Sequence, residues 1–242
     1  MNRVYTDEEI LSIFSKTELH QGIKLSCYNW CDIIYNKIES YCSDWAEGCS
    51  KGVIFLKDAD FVIKIPFNTS DEDNWLMDFR GANNYLNCWD YCAVEEALYK
   101  LAKIKGVEDC FLPIYEVGKV NGYPIYKQPI GDIFAAKSIM KYDNEKVKTT
   151  TNNFYKQHNV SAELKYRLPI EWVYDVILAY PPYLVIDLLS FIKNNITDLH
   201  SANIGYYKNK PVIIDYAGFH ECECPSSYYD SSEECYSDQS YI

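Results

Sequence analysis

The pattern of apolar and polar positions predicts two helices at the start of the chain. Thr6 or Asp7 can cap a helix that runs through Glu8–Ser15, because both side chains accept hydrogen bonds from the first amides of a helix. Apolar residues at helical spacing predict a second helix over Ser26–Tyr41. Both helices precede the first strand pattern of the sequence.

The pattern then changes to short runs of β-branched and aromatic residues bounded by turn residues, which are typical of strands. Four strands are predicted, at Val53–Leu56, Phe61–Ile65, Phe111–Val117 and Pro124–Gln128. Turns at Lys57–Asp60 and Asn121–Gly122 join them in pairs. Between the two pairs a helix is predicted whose last part is Cys92–Lys105, and Gly106 is its expected stop.

The second half of the chain is predicted to be mainly helical. The helical pattern covers residues 131–195 and is interrupted by the polar segment Lys141–Glu163 and by prolines. Within it, Val185–Lys193 is apolar enough for a buried helix. A short β-ribbon is predicted to follow, at Ala202–Tyr207 and Pro211–Asp215. The tail of residues 221–242 has no hydrophobic rhythm, and we expect it to be mobile or loosely docked.

Composition and charge limit the classes of function. The chain has 242 residues, which suits one large domain or two small ones. Its net charge of −12 opposes binding to nucleic-acid backbones and to anionic membranes. No apolar run is long enough to span a membrane, and the acidic N-terminus is not typical of a signal peptide. We therefore expect a cytoplasmic protein that binds neither nucleic acid nor membrane.

The ten cysteines are interpreted as reduced thiols, since disulfides are rare in the cytoplasm. The pairs Cys27/Cys31 and Cys88/Cys92 have the spacing of one helix face, which favours thiols packed in a core. No pair has the C-x-x-C spacing of a zinc site, and Cys222-Glu-Cys224 is the pair least typical of a core.

Three oxygen-bearing side chains lie in the most informative segment of the chain, residues 197–219. Asp198 and Asn203 belong to a polar loop that follows an apolar helix pattern, and Asp215 ends a run of apolar strand residues. Side chains at loop and strand ends can converge on a hard cation such as Mg²⁺, which prefers oxygen ligands. The alternative is structural, with Asp198 capping a turn and Asp215 ending a strand.

This segment resembles the catalytic and metal-binding loops of the protein-kinase-like superfamily, especially its aminoglycoside-phosphotransferase-like and small bacterial or phage kinase-like members. The matching residues are Asp198-Leu199-His200 with Asn203, and the apolar strand that ends in Asp215. The resemblance implies that Asp198 orients or deprotonates the acceptor hydroxyl, and that Asn203 and Asp215 hold Mg²⁺ on the nucleotide phosphates. Ile196-Thr197 departs from the family's His-Arg, so an arginine-anchored activation loop is not expected.

A lysine in the second predicted strand fits the same resemblance. Lys64 is flanked by apolar residues, and a buried lysine is costly unless it meets an anion. The resemblance implies two anions, the nucleotide phosphates and a helix glutamate, which makes Lys64 and that glutamate part of the catalytic set. Glu95 is the preferred glutamate and Glu96 the alternative, with Asn68–Asp90 as an insertion. The other interpretation is a lysine at a strand edge whose ammonium reaches solvent.

Two further sets of residues are implied to bind the nucleotide. A turn with two glycines occupies the place of the glycine-rich phosphate loop, at Gly48, Ser50 and Gly52. As an isolated feature, this segment would be a plain hairpin turn. A second set would hold the adenine, with Gln128 in the expected hinge and apolar side chains on either side, Val62 and Ile214.

The resemblance implies an α+β, two-lobed protein-kinase-like fold. It would comprise a helical extension (1–43), an N-lobe with a small antiparallel sheet and one helix (44–130), a truncated, mainly helical C-lobe (131–220) and an acidic Ser/Tyr-rich tail (221–242). The implied function is ATP- and Mg²⁺-dependent transfer of the γ-phosphate to a hydroxyl of a protein or small molecule. The alternative is a pseudokinase that binds a nucleotide or a protein without catalysis. The resemblance also suggests a phage or bacterial source.

Overall fold

The computed structural model describes residues 3–48, 50–68, 90–134, 142–161, 164–165, 168–196 and 199–216. These residues form an α+β structure that divides into two compact units. The first unit contains the described residues of Met1–Ala97 and Ile114–Ile130, and the second contains those of Leu98–Pro113 and Gly131–Cys222. The predicted loop aspartate Asp198, the acidic tail with its cysteines, and most of the predicted insertion lie outside the described residues.

The first unit contains a five-stranded antiparallel sheet. Its strands are β1 (Cys42–Glu47), β2 (Lys51–Leu56), β3 (Phe61–Pro66), β4 (Tyr115–Val120) and β5 (Tyr123–Pro129), and their order across the sheet is β1-β2-β3-β5-β4. The predicted turns after β2 and β4 are present. They contain Asp58 and Asn121 at positive φ, a conformation that Asp and Asn tolerate better than most residues.

The strand predictions need two corrections. β1 was not predicted, because all its residues after Cys42 are exposed and polar positions dominate its pattern. The strand predicted from Phe111 begins only at Tyr115. Pro113 has no amide to continue a ladder, and Phe111 forms a single parallel bridge to Ile213 within the second unit.

One face of the sheet is covered by the N-terminal part of the chain. The first helix, α1 (Asp7–Phe14), begins with a capping box in which the Thr6 hydroxyl accepts from the Glu9 amide and the Glu9 carboxylate accepts from the Thr6 amide. Buried residues of this N-terminal part and of β2 and β3 form one hydrophobic core, whose fully buried members include Ile10, Phe14, Trp30, Ile54, Ile63 and Ile65. The helical extension and the sheet therefore share a core.

The helix predicted over Ser26–Tyr41 is shorter and less regular than expected. It consists of a π-helix (Cys31–Tyr35), a brief α-helical stretch (Asn36–Ile38) and a 3₁₀ turn (Glu39–Tyr41). The buried residues Trp30, Ile34 and Ile38 recur every four positions. Residues four positions apart lie on the same face of a helix, so these three side chains share the buried face.

The helix α2 (Tyr91–Lys105) follows directly after Asp90. The Asp90 carboxylate accepts a hydrogen bond from the Ala93 amide at 2.8 Å and so caps the first turn. The helix ends before Gly106, whose positive φ of 71° agrees with the predicted stop. The division between the two units falls within α2, after Ala97.

Among its described residues the second unit contains the helices α3 (Asn144–Gln157), α4 (Ile170–Ala179) and α5 (Pro182–Asn195), and the strands β6 (Asp132–Ile133), β7 (Ile204–Tyr207) and β8 (Lys210–Ile213). The buried helix predicted at Val185–Lys193 is the central part of α5. The polar segment Lys141–Glu163 was expected to interrupt the helical pattern, but most of it is α3. Its buried residues are Val147, Thr151, Phe154 and Tyr155. They have helical spacing, but they are few among the polar residues of the segment.

The strands of the second unit form a sheet of order β6-β7-β8 with one close backbone approach. A Cβ on Gly205 would lie 2.1 Å from the Asp132 carbonyl oxygen, so a glycine is required where β7 meets β6. Trp172 Nε1 donates to the Gly205 carbonyl at 3.3 Å, which ties α4 to the ribbon. Within the described ranges, no helix combines the length and the apolar character needed to cross a membrane.

Candidate functional site

Several candidate nucleotide-binding residues share one face of the sheet in the first unit. Val62 pairs with Gln128 and Lys64 pairs with Tyr126 across β3 and β5. Directly opposite residues project from the same face of an antiparallel sheet, so these four side chains lie on one side. Ile63, between Val62 and Lys64, projects from the other face into the core shared with the N-terminal helices.

Lys64 forms a buried ion pair with Glu95. The Lys64 Nζ lies 2.9 Å from the Glu95 Oε2, and the two side chains are 5% and 0% exposed. Glu96, the alternative partner, is half-buried, and its Oε1 lies 3.5 Å from the Glu116 amide nitrogen. The lysine is therefore not an edge residue with its ammonium in solvent, and its glutamate is the one preferred from the sequence.

Lys51 contacts the other oxygen of the same carboxylate. Its Nζ donates to the Glu95 Oε1, and its side chain is only 6% exposed. Two buried ammonium groups thus bracket one carboxylate. Burial of charged groups carries a desolvation cost that mutual attraction only partly offsets, so such clusters are more typical of functional sites than of elements that stabilise a core.

Asp90 and Tyr126 add two buried polar groups on this side of the sheet. The Tyr126 hydroxyl donates to the Asp90 Oδ2 at 2.6 Å. Burial raises the pKa of the Asp90 carboxyl to about 7, and the hydrogen bond from Tyr126 opposes part of the rise. We refer to Lys51, Lys64, Asp90, Glu95 and Tyr126 as the buried polar cluster.

The predicted phosphate loop forms the hairpin turn between β1 and β2. The Gly48 amide donates to the Lys51 carbonyl at 2.9 Å, Gly48 is exposed and Ser50 is half-buried. Gly52 is not part of the turn, because it lies within β2 and is buried. A Cβ at Gly52 would lie 3.0 Å from the Trp30 ring, so packing accounts for this glycine. Of the three residues predicted to bind phosphate here, Gly48 and Ser50 lie at the turn.

In the second unit, backbone hydrogen bonds join Asn203 to the end of the ribbon. The Asn203 carbonyl accepts from the Ile214 amide at 2.8 Å and from the Asp215 amide at 3.1 Å. The next residue, Tyr216, is completely buried, and its hydroxyl donates to the Leu112 carbonyl at 2.7 Å. These contacts hold Asn203 and Asp215, the two predicted metal ligands, close to each other.

The side chains of Asn203 and Asp215 offer the type of donor atom that a hard cation binds. Both side chains carry oxygens, which Mg²⁺ prefers, and Mg²⁺ usually takes only one or two protein ligands and completes its coordination with water and phosphate. Within the described residues, no group of three or more His, Cys, Asp or Glu side chains could hold a metal ion.

Two more predicted site residues belong to the second unit. Asp198 lies outside the described residues, and Leu199, which follows it, is buried. Ile214 is half-buried, and its Cδ1 would lie 3.1 Å from a Cβ built on Gly131. The side chain of Ile214 thus packs directly over the Gly131 backbone.

The candidate residues predicted from the sequence did not include Lys51, Asp90 and Tyr126. Asp90 had a recognisable signal, because an aspartate directly before a helix pattern is a typical N-cap. Lys51 and Tyr126 share a face with Lys64 only through the pairing of β2, β3 and β5. A shift of one residue in that pairing would send either side chain to the opposite face, and the sequence pattern does not specify the pairing.

Comparison with known proteins identifies no relative of this chain. No protein-family model matches the chain, and no curated protein or solved structure gives a significant match. A function for this chain is therefore inferred from its residues and from their geometry within each unit.

Proposed function

We propose that the chain is an ATP- and Mg²⁺-dependent phosphotransferase with a protein-kinase-like fold. The resemblance of the loop segment to that superfamily motivates the proposal. The first unit is compatible with it, since a small antiparallel sheet with one helix between β3 and β4 is what the resemblance implies for an N-lobe.

The observation that carries the proposal is the buried pair of Lys64 and Glu95. A carboxylate at 2.9 Å fixes the direction of the lysine ammonium on the sheet face that also bears Val62 and Gln128. A cation held in advance can neutralise phosphate charge without reorganising when the substrate binds, which is the main contribution of an enzyme to phosphoryl transfer. Val62 and Gln128 then contact the adenine end of the nucleotide.

In this proposal Asn203 and Asp215 hold Mg²⁺ on the phosphates, and Asp198 orients the acceptor. The metal ion supplies neutralisation of the phosphate oxygens. Asp198 takes the proton of the acceptor hydroxyl while the hydroxyl oxygen forms a bond to the γ-phosphorus. The bond between the γ-phosphorus and the β,γ-bridging oxygen breaks, and ADP leaves. The acceptor is a hydroxyl of a protein Ser, Thr or Tyr or of a small molecule.

The proposal is tested by incubating the chain with γ-labelled ATP and Mg²⁺ and following ADP formation and label transfer to the chain itself, to generic protein acceptors and to hydroxylated small molecules. We expect Asp198→Asn and Asp215→Asn to lower turnover by about 100-fold or more. Asp187→Asn serves as the matched control, because Asp187 is an exposed aspartate of α5 in the same unit as Asp215. Its turnover should equal that of the wild type.

Two outcomes would contradict the proposal that the chain is a phosphotransferase. The first is turnover that persists unchanged in Asp215→Asn, since the proposed metal ligand would then be dispensable. The second is tight ATP binding with neither ADP formation nor transfer. That second outcome would favour the pseudokinase alternative, a nucleotide-binding module without catalysis.

A further inference from the structure

We propose that Lys51 is a second phosphate-binding residue of this nucleotide site and acts together with Lys64. The inference rests on the proposed function, because it adds a residue to the site proposed there. It concerns the first unit alone, where Lys51, Lys64 and Glu95 are all found.

The position of Lys51 joins the turn to the lysine of β3. Lys51 is the first residue of β2, directly after the turn that contains Gly48 and Ser50. It pairs with Pro66, two residues beyond Lys64, so the two lysines are diagonal neighbours on one face of the sheet. Diagonal neighbours lie about 7–8 Å apart, well within the reach of two lysine side chains. An anion that contacts both the turn and Lys64 therefore lies within reach of Lys51.

The shared carboxylate gives both ammonium groups a fixed direction. Glu95 accepts from Lys51 through Oε1 and from Lys64 through Oε2, and both lysine side chains are almost fully buried. Two ammonium groups held side by side repel each other, and a polyanion relieves that repulsion when it binds. The arrangement thus favours a nucleotide with several phosphates over adenosine.

The affinity for a series of ligands separates phosphate binding from a structural role. Titration calorimetry in the presence of Mg²⁺ would measure the binding of ATP, ADP and adenosine to the wild type, Lys51→Met and Lys64→Met. A charge-assisted contact to phosphate predicts that Lys51→Met weakens ATP binding by about tenfold or more while adenosine binding stays within about twofold. Lys57→Met, at an exposed lysine just after β2, is the control and should change neither affinity.

Each other outcome decides against one of the two proposals. If Lys51→Met lowers the affinities for ATP and adenosine by the same factor, or changes neither, Lys51 only supports Glu95 and the inference is wrong. If the wild type binds neither ATP nor adenosine, the proposed function is wrong, and the inference falls with it.

The wild-type chain also allows a test that does not depend on the folding of a variant. An adenosine polyphosphate probe with an acyl group on its terminal phosphate acylates a neighbouring lysine: the Nζ–carbonyl bond forms, the acyl–phosphate bond breaks, the nucleotide leaves with its phosphate oxygen, and the ammonium group loses two protons as it becomes an amide. Peptide mass spectrometry should find acylation at Lys51 and Lys64, prevented at both by excess ATP. If ATP-preventable acylation is found at Lys64 but not at Lys51, the role of Lys51 is refuted. If neither lysine is acylated, the nucleotide site is refuted.

Discussion

Replacement of Glu95 by glutamine is the most informative perturbation of the buried polar cluster. Glu95→Gln keeps the size and shape of the side chain but removes the negative charge that lies between Lys51 and Lys64. The glutamine offers one acceptor oxygen, and its amide nitrogen turns two donor hydrogens toward the other lysine. Two buried ammonium groups then face a neutral side chain.

We expect Glu95→Gln to lower the free energy of unfolding by about 3–5 kcal/mol, the range typical for removing one partner of a buried ion pair. For a chain of this length that corresponds to a fall in Tm of roughly 6–20 °C.

Urea unfolding monitored by tryptophan fluorescence at neutral pH measures this loss. Trp30 and Trp172 are completely buried in the first and second units, so the signal reports on both. Glu96→Gln is the matched control, because it removes the same charge from the next residue of α2, where the side chain is only half-buried. We expect the control to lose less than about 1 kcal/mol.

Equal losses for Glu95→Gln and Glu96→Gln would refute this reasoning, because the buried charge would then not matter for stability. As a further check, Lys51→Met added to Glu95→Gln should recover part of the loss, because it removes one of the two buried ammonium charges that Glu95 contacts in the wild type.

Three further stability predictions follow from single contacts, each measured by thermal or urea unfolding. Gly52→Ala should cost about 1–3 kcal/mol because its Cβ would press on the Trp30 ring, whereas Gly48→Ala, with no contact closer than 3.8 Å, should change little. Asp90→Asn should match the wild type below about pH 4 and exceed its stability near pH 8, by up to about 4 kcal/mol, because the raised pKa of Asp90 makes the wild type lose stability between about pH 4 and pH 7. Asp143→Ala should cost about 0.5–2 kcal/mol, since the Asp143 side chain caps α3 through the Lys146 amide; no loss would contradict the capping role.

The sequence was informative where one local signal dominated. β2 and β3 are apolar runs between turn residues, and the turn between them has Asp58 in the left-handed conformation that this residue type tolerates. The preference for Glu95 over Glu96 came from the resemblance, because the family's glutamate precedes an apolar pair three and four residues further on, as Glu95 does with Leu98 and Tyr99.

The sequence was uninformative where structure depends on distant residues. The place of Lys51 beside Lys64 depends on strand register, and the need for Gly52 depends on Trp30, which lies far from it in the chain. The helix α3 has few apolar residues, so its pattern predicted an interruption of the helical region.

The most direct test of the account is the thermal unfolding of the wild type with ATP and Mg²⁺. Binding at about 100 times the dissociation constant should add about 2.7 kcal/mol of stability, which raises Tm by roughly 5–11 °C. This increase in Tm should be much smaller when EDTA replaces Mg²⁺. It should also be much smaller in Lys64→Met, a variant in which Lys51 still pairs with Glu95 when no nucleotide is bound. A Tm that does not change at millimolar ATP with Mg²⁺, or a rise that is equally large in Lys64→Met, would contradict the account.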